Sequence, residues 1–409
     1  MKKIFIAFFA LIPVAFLLVS GCVQQEQPIG GEFRNDSAAE TVAPAGRNES
    51  VVIKGNDDIP IRGLAFPPYR EQLILARDMG ANYITYGHWI VPDMSGNIVP
   101  PGRNSWSSDI NETRERIRML HDEGFKVWLY IRTPLQPTDA NESTSEFTFE
   151  LNPNLFKGLS AEARERFLEA LKPEILKVAE MAEEERVEMF GPVAAGQLYL
   201  VLEPRSDSDF SYKWANALIP DVRKVYSGDL AQKIDLNPDT GQNEKIIGIA
   251  NFTGWNWVSS DVFGSCDGFP GGQGEVDSYD EWRHIYTSLL GVLQAKKAES
   301  GAKGIIFGPE TLGIDSSAHR IIMAEKGYSS IDDIPLGDWE KARARAWDMM
   351  LNDTVGKVDG YFFWSWWPGC ELPDYEYDKE VNGQVIRSRK SAGVQGSLPY
   401  ETIKKYYSG

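Results

Sequence analysis

The chain of 409 residues is poor in the side chains that most metal and redox sites are built from. It has three cysteines and four histidines (His88, His121, His284, His319). None of them falls in an HExxH or CxxC spacing, so no metal centre is expected. No GxGxxG or GxxxxGK[ST] loop follows an apolar run, which removes the usual basis for nucleotide chemistry, and no cofactor is expected. Positive charge is also short: 42 Lys and Arg face 59 Asp and Glu, a formal charge of −17. That balance argues against nucleic acid as a partner and against an acidic polysaccharide. Long apolar runs are missing after residue 22, so no later segment approaches the ~20 residues that a membrane span requires.

The amino terminus is the exception. Lys2 and Lys3 precede an apolar stretch from Ile4 to Val19, which ends in Val19-Ser20-Gly21-Cys22. This has the layout of an export signal. The tetrapeptide resembles the lipobox of prokaryotic lipoproteins, a resemblance that implies lipid attachment at Cys22 and a protein held on the extracellular face of the membrane. An uncleaved amino-terminal anchor would tether the chain on the same side. Residues 23–50, rich in Gly, Pro, Ser and Ala, read as a flexible tether, and residues 51–409 as one domain. Cys266 and Cys370 remain, either as a disulfide or as two unrelated thiols. Asn-x-Ser/Thr sequons stand at Asn35, Asn48, Asn111, Asn141, Asn251 and Asn352, compatible with a glycosylated surface protein.

Within the domain, apolar runs alternate with amphipathic segments. Strands are expected at Ile61–Phe66, Tyr83–Tyr86, Val127–Ile131, Leu198–Leu202, Ile246–Asn251, Val262–Cys266, Gly304–Phe307 and Tyr361–Ser365. Helices are expected at Tyr69–Met79, Glu112–Glu123, from Ser160 through Phe190, at Phe210–Val225, from Ser278 or Asp280 to about Ala298, and at Trp339–Leu351. Repeated alternation implies a parallel sheet with right-handed crossovers. Eight units without a Gly-rich dinucleotide turn favour a closed (β/α)8 TIM barrel of the α/β class, with a doubly wound open sheet as the alternative.

Two glutamates stand where apolar runs stop: Glu203 in QLYLVLEPR and Glu310 in GIIFGPETLG, 107 positions apart (310 − 203). The carboxyl ends of barrel strands form the rim where such folds build active sites. Each glutamate alone reads equally well as a strand cap or an ion-pair partner. The other expected strand ends supply His88, Trp89, Arg132, Asn251, Trp255, Trp257, Trp364, Trp366 and Trp367. Sugars need this mixture, because their C–H faces stack on aromatic rings while their hydroxyls need polar partners. The opposite rim shows no such enrichment in the sequence. Asp207, Asp209, Asp267 and Glu275 read as solvated loop acids without a catalytic role.

The pattern resembles the clan A retaining (β/α)8 glycoside hydrolases, which include β-mannanases, β-glucanases and β-galactanases. The segments LARDMGANYITYG and IRMLHDEGFKVWLYIR also read like that clan's second and third units. The resemblance covers about residues 58–370. It implies that Glu203 is the acid/base after strand four, that Glu310 is the nucleophile after strand seven, and that Trp364 is the aromatic after strand eight. One position departs from the clan: Leu202 stands where an Asn that binds the sugar 2-hydroxyl is expected. Two functions are therefore carried forward. One is a retaining glycosidase acting on β-linked oligo- or polysaccharides; the other is a surface-anchored carbohydrate-binding receptor on a degenerate barrel.

Overall fold

The computed structural model describes residues 56–65, 70–92, 98–99, 108–133, 161–193, 210–236, 250–262, 278–309, 311–329, 333–363, 378–381, 384–387 and 398–409. In chain order the elements begin with β1 (Ile61–Ala65), α1 (Arg70–Met79) and β2 (Tyr83–Trp89). A short antiparallel pair, β3 (Val91–Pro92) and β4 (Ile98–Val99), precedes α2 (Ile110–Asp122), β5 (Lys126–Arg132), α3 (Ala161–Glu184) and β6 (Met189–Gly191). Next come α4 (Phe210–Val225), β7 (Asp229–Leu236), β8 (Trp257–Val262), α5 (Tyr279–Ser300), β9 (Gly304–Pro309) and α6 (Thr311–Lys326). The chain ends with α7 (Leu336–Thr354), β10 (Gly360–Phe363), the antiparallel pair β11 (Asp378–Val381) and β12 (Gln384–Arg387), and α8 (Leu398–Ser408).

Strands β1, β2 and β5 through β10 close into an eight-stranded barrel in which every pairing is parallel. The expected (β/α)8 barrel is therefore the fold. Strand alternation divides the apolar residues into two cores. On β5, Val127, Leu129 and Ile131 face outward and pack beneath the helices. Trp128 faces inward and joins Ile61, Tyr83, Met189, Ala231, Ile306 and Phe362, with Trp257 packed against them. This inner plug fills the lower barrel. Phe362 meets Trp128 and Tyr83 edge-on, with centroids 4.7 and 6.0 Å apart. Gly63 leaves the space that the Phe362 ring occupies, since a Cβ there would collide with the ring.

Helix signals in the sequence are met by local geometry. Asp109 caps α2 by accepting from Asn111 N at 2.7 Å. Ser278 caps α5 by accepting from Glu281 N, and Gly301 ends that helix in the left-handed region at φ 70°. Helix α8, which the sequence reading did not anticipate, ties the carboxyl terminus to β1 and the segment before it. Tyr407 Oη donates to Gly63 O at 3.1 Å, and Asn56 N donates to Tyr407 O at 3.0 Å. Among the described residues, no helix is long and apolar enough to cross a membrane.

Strands one, two, three, seven and eight fall where expected, within a few residues. The middle of the barrel does not. The fourth barrel strand is β6, whereas the expected Leu198–Leu202 lies outside the described residues. The helix expected to run through Phe190 stops at Glu184, because Arg186 turns left-handed at φ 56°. Arg186 N then donates to Glu183 O and Val187 N to Ala182 O, a Schellman closure without glycine. The fifth barrel strand is β7, not Ile246–Asn251, of which Ala250 and Asn251 are non-strand and the rest is outside the described residues. The sixth is β8, which meets the expected Val262–Cys266 only at Val262.

Candidate active site

The carboxyl ends of β2 and β5 are adjacent, with Trp89 registered against Arg132. On β2, Tyr83 faces inward, so alternation puts Thr85, Gly87 and Trp89 on the interior and Ile84, Tyr86 and His88 on the outside. On β5 the interior residues above Trp128 are Tyr130 and Arg132. The Arg132 guanidinium carbon lies 6.0 Å from both the Trp89 and the Tyr130 ring centroids. The three side chains thus form one cation–π cluster inside the barrel mouth. All three are buried.

Polar atoms around this cluster are unusually unsatisfied. Thr85 Oγ1, Trp89 Nε1 and Trp128 Nε1 are buried without a hydrogen-bond partner. Most buried polar atoms in folded proteins are paired, so three open ones on the inner faces of two neighbouring strands set this part of the barrel apart. Beside them, Gly191 keeps the end of β6 free of a side chain; a Cβ there would stand 3.3 Å from Trp128 Nε1 and 3.0 Å from Tyr130 Cβ. The sequence reading did not single out Thr85, Trp128 or Tyr130. Counting back in twos from Arg132 along KVWLYIR recovers Tyr130 and Trp128.

His88, expected at the rim, is turned the other way. It is 4% exposed, and its Nδ1 meets Thr113 Oγ1 of α2 at 2.8 Å. Burial pushes its pKa down to about 4, against an opposing pull from Asp109. It is a neutral imidazole locked between β2 and α2, behind the site rather than in it.

Asn251, Trp255 and Trp257 were expected at the carboxyl end of strand five. The structure places them at the amino-terminal rim instead. Trp257 is the first residue of β8, and its Nε1 donates to Asp229 Oδ2 at 2.9 Å, at the start of β7. Trp255 is buried in the turn before β8 and donates to Asn216 Oδ1 of α4 at 2.7 Å. Asn251 is exposed, and its Oδ1 accepts from Thr253 N at 2.9 Å. The amino-terminal rim therefore carries the aromatic residues that the sequence reading denied it: Trp257 packs against the inner plug and Trp255 against the outer core.

Glu203, Glu310, Trp364, Trp366 and Trp367 lie outside the described residues, as do Cys22, Cys266 and Cys370. In the chain, Glu310 immediately follows Pro309, the last residue of β9. Glu203 stands twelve positions beyond Gly191, where β6 ends (203 − 191). Among the described residues, no group of three or more His, Cys, Asp or Glu side chains is placed to hold a metal.

No protein-family model matches the chain, and no curated protein matches it in sequence. Solved structures do. A structure of a GH113 β-1,4-mannanase aligns with a TM-score of 0.52, and a complex structure of a GH113 β-1,4-mannanase with 0.51. In both cases the identity is 15%, and the alignment covers 85% of this chain and 98% of the other. The likeness is one of fold: a parallel eight-stranded barrel shared over nearly the whole of those two chains.

Proposed function

We propose that the protein is a retaining glycoside hydrolase acting on β-linked oligo- or polysaccharides, held at the cell surface by a lipid on Cys22. The observation that carries this reading is a closed parallel barrel whose seventh strand ends at Pro309, the residue before Glu310 in the chain. That is the rim where such barrels do their chemistry. The cluster of Trp89, Tyr130 and Arg132, with open N–H and O–H groups beneath it, supports a sugar ligand at the same rim. The shared fold with β-1,4-mannanase structures agrees with a glycan substrate.

In the proposed reaction Glu310 attacks the anomeric carbon and the glycosidic oxygen leaves with a proton from Glu203. Glu203 then takes a proton from water, which releases the sugar from Glu310. Retention requires the two carboxyl groups about 5–5.5 Å apart; a gap of about 6.5–9.5 Å gives inversion. The fourth strand ends at Gly191, and Pro192 and Val193 follow it without a carboxylate. This favours a second reading, a carbohydrate-binding barrel that has lost its proton donor.

The test is turnover and binding on a panel of β-mannan, β-glucan and β-galactan oligosaccharides. Wild type cleaves at least one; Glu310→Ala binds the same sugar and leaves it intact. Cleavage by Glu310→Ala at the wild-type rate removes Glu310 as nucleophile. Binding without cleavage by wild type selects the receptor.

A further inference from the structure

Of the six sequons, Asn111, Asn251 and Asn352 fall among the described residues, and the structure separates them by what their threonines do. Sequon recognition needs the threonine hydroxyl as well as the asparagine amide, so a hydroxyl sealed in the core cannot be read in the folded protein. Thr113, the partner of Asn111, is fully buried, with Oγ1 against His88 Nδ1. Thr354, the partner of Asn352, is also fully buried; Oγ1 donates to Met350 O at 2.6 Å and lies 2.7 Å from Tyr361 Oη.

The third sequon, Asn251-Phe252-Thr253, is built in the opposite sense. Asn251, Thr253 and Gly254 are exposed, while Phe252 and Trp255 are 1% and 3% exposed and anchor the segment from below. Trp255 N donates to Phe252 O at 3.1 Å, and Gly254 sits at φ 89°, the turn in which the third position needs glycine. The Trp255–Asn216 bond fastens the far end. Asn251 bonds to Thr253 N through Oδ1, which leaves its amide nitrogen, the atom that glycosylation modifies, outside that bond. The turn precedes β8 at the amino-terminal rim, away from the Trp89–Arg132 mouth.

We propose that Asn251 is the acceptor for an N-linked oligosaccharide on the folded protein. The donor class is an oligosaccharide carried on a polyprenyl phosphate or pyrophosphate. Asn251 Nδ2 forms a bond to the anomeric carbon, the bond from that carbon to the lipid phosphate oxygen breaks, and the lipid phosphate leaves with the electron pair. The amide gives up one proton to the transferase base.

The experiment uses the full chain and an oligosaccharyltransferase with a lipid-linked donor, chosen because the pair modifies this chain when it is denatured. Glycopeptides are mapped by mass spectrometry. The folded chain carries glycan at Asn251, while Asn111 and Asn352 stay bare; denaturation opens all three. Asn251→Gln and Thr253→Ala remove the folded-state signal, and Thr253→Ser keeps it. A bare Asn251 in the folded chain overturns the proposal, as does folded-state modification of Asn111 or Asn352 to the same extent.

Discussion

The buried imidazole of His88 makes stability depend on pH in a way that one substitution isolates. Its folded pKa is about 4, pushed down by burial, against an ordinary value of about 6.5 in an unfolded chain. Between those values the unfolded chain binds the extra proton, so stability rises with pH there. The contribution is complete above about pH 6.5 and is lost as pH falls towards about 4. The gap of about 2.5 units corresponds to roughly 3 kcal/mol, of which about 2.5 kcal/mol is gone by pH 4.5. His88→Asn keeps a polar atom near the Nδ1 position facing Thr113 but does not titrate. Urea denaturation at pH 7.5 and pH 4.5 measures both proteins. At pH 7.5 the variant is less stable, by about 1–3 kcal/mol for the lost ring packing. At pH 4.5 the difference between the two shrinks by about 2–3 kcal/mol, because only wild type carries the imidazole penalty. Carboxylate titrations act on both proteins and cancel in the comparison. Equal pH dependence in the two proteins refutes the assignment of His88 as a buried neutral side chain.

Three other substitutions separate site from scaffold. Trp89→Phe removes an indole N–H that is buried without a hydrogen-bond partner, so thermal unfolding shifts little. KM for the cleaved oligosaccharide rises about 2–10-fold, as expected for one lost neutral hydrogen bond. An unchanged KM places Trp89 outside the binding surface. Trp255→Phe leaves Asn216 of α4 without its donor, costing about 1–3 kcal/mol in denaturation. Its kcat/KM stays at the wild-type value; a selective loss of activity returns Trp255 to the substrate site. Arg186→Gly relieves an exposed non-glycine residue at φ 56° and raises stability by about 1 kcal/mol. A lower unfolding midpoint shows that the Arg186 side chain contributes more than its backbone strain costs.

The outer strands were legible because their residues carry the whole signal. KVWLYIR is apolar at the positions facing the helices and aromatic or cationic at those facing inward, and no other element fits that run. GIIFGP is short, apolar and bounded by Gly and Pro. Strand β6 was hidden for a local reason: α3 stops at Glu184 with Arg186 as its left-handed cap, a residue type that does not announce one, so Met189 and Phe190 read as more helix. Strand β7 was hidden by its composition. DLAQKIDL places Asp229, Gln232, Lys233 and Asp235 in a strand buried enough for Leu230, Ala231 and Gln232 to be nearly inaccessible. A search for continuous apolar runs passes over such a strand and settles on Ile246–Asn251. Displacing strands four, five and six carried Asn251, Trp255 and Trp257 to the wrong rim. Strands two and three were placed correctly, and Trp89 and Arg132 stayed at the mouth with them.

Tryptophan content alone does not tell a sugar-binding rim from a packed floor; the pairing of each indole N–H divides the tryptophans of this barrel. The indole N–H of Trp255 is paired with Asn216 and that of Trp257 with Asp229, both inside the scaffold. Those of Trp89 and Trp128 are buried and unpaired. A packed structural tryptophan finds a partner during folding, since leaving the donor open costs about 1–3 kcal/mol. A binding-site tryptophan can carry that cost until a ligand hydroxyl arrives. Pairing is not sufficient by itself: Trp347 of α7 also has an unpaired N–H, yet it packs against Phe363 in the outer core. The second condition is direction, which strand parity supplies. Trp89 and Trp128 meet both conditions, and Thr85 is registered directly against Trp128, so on the proposed reading a sugar-facing surface would run inward along β2 and β5 to the top of the hydrophobic plug.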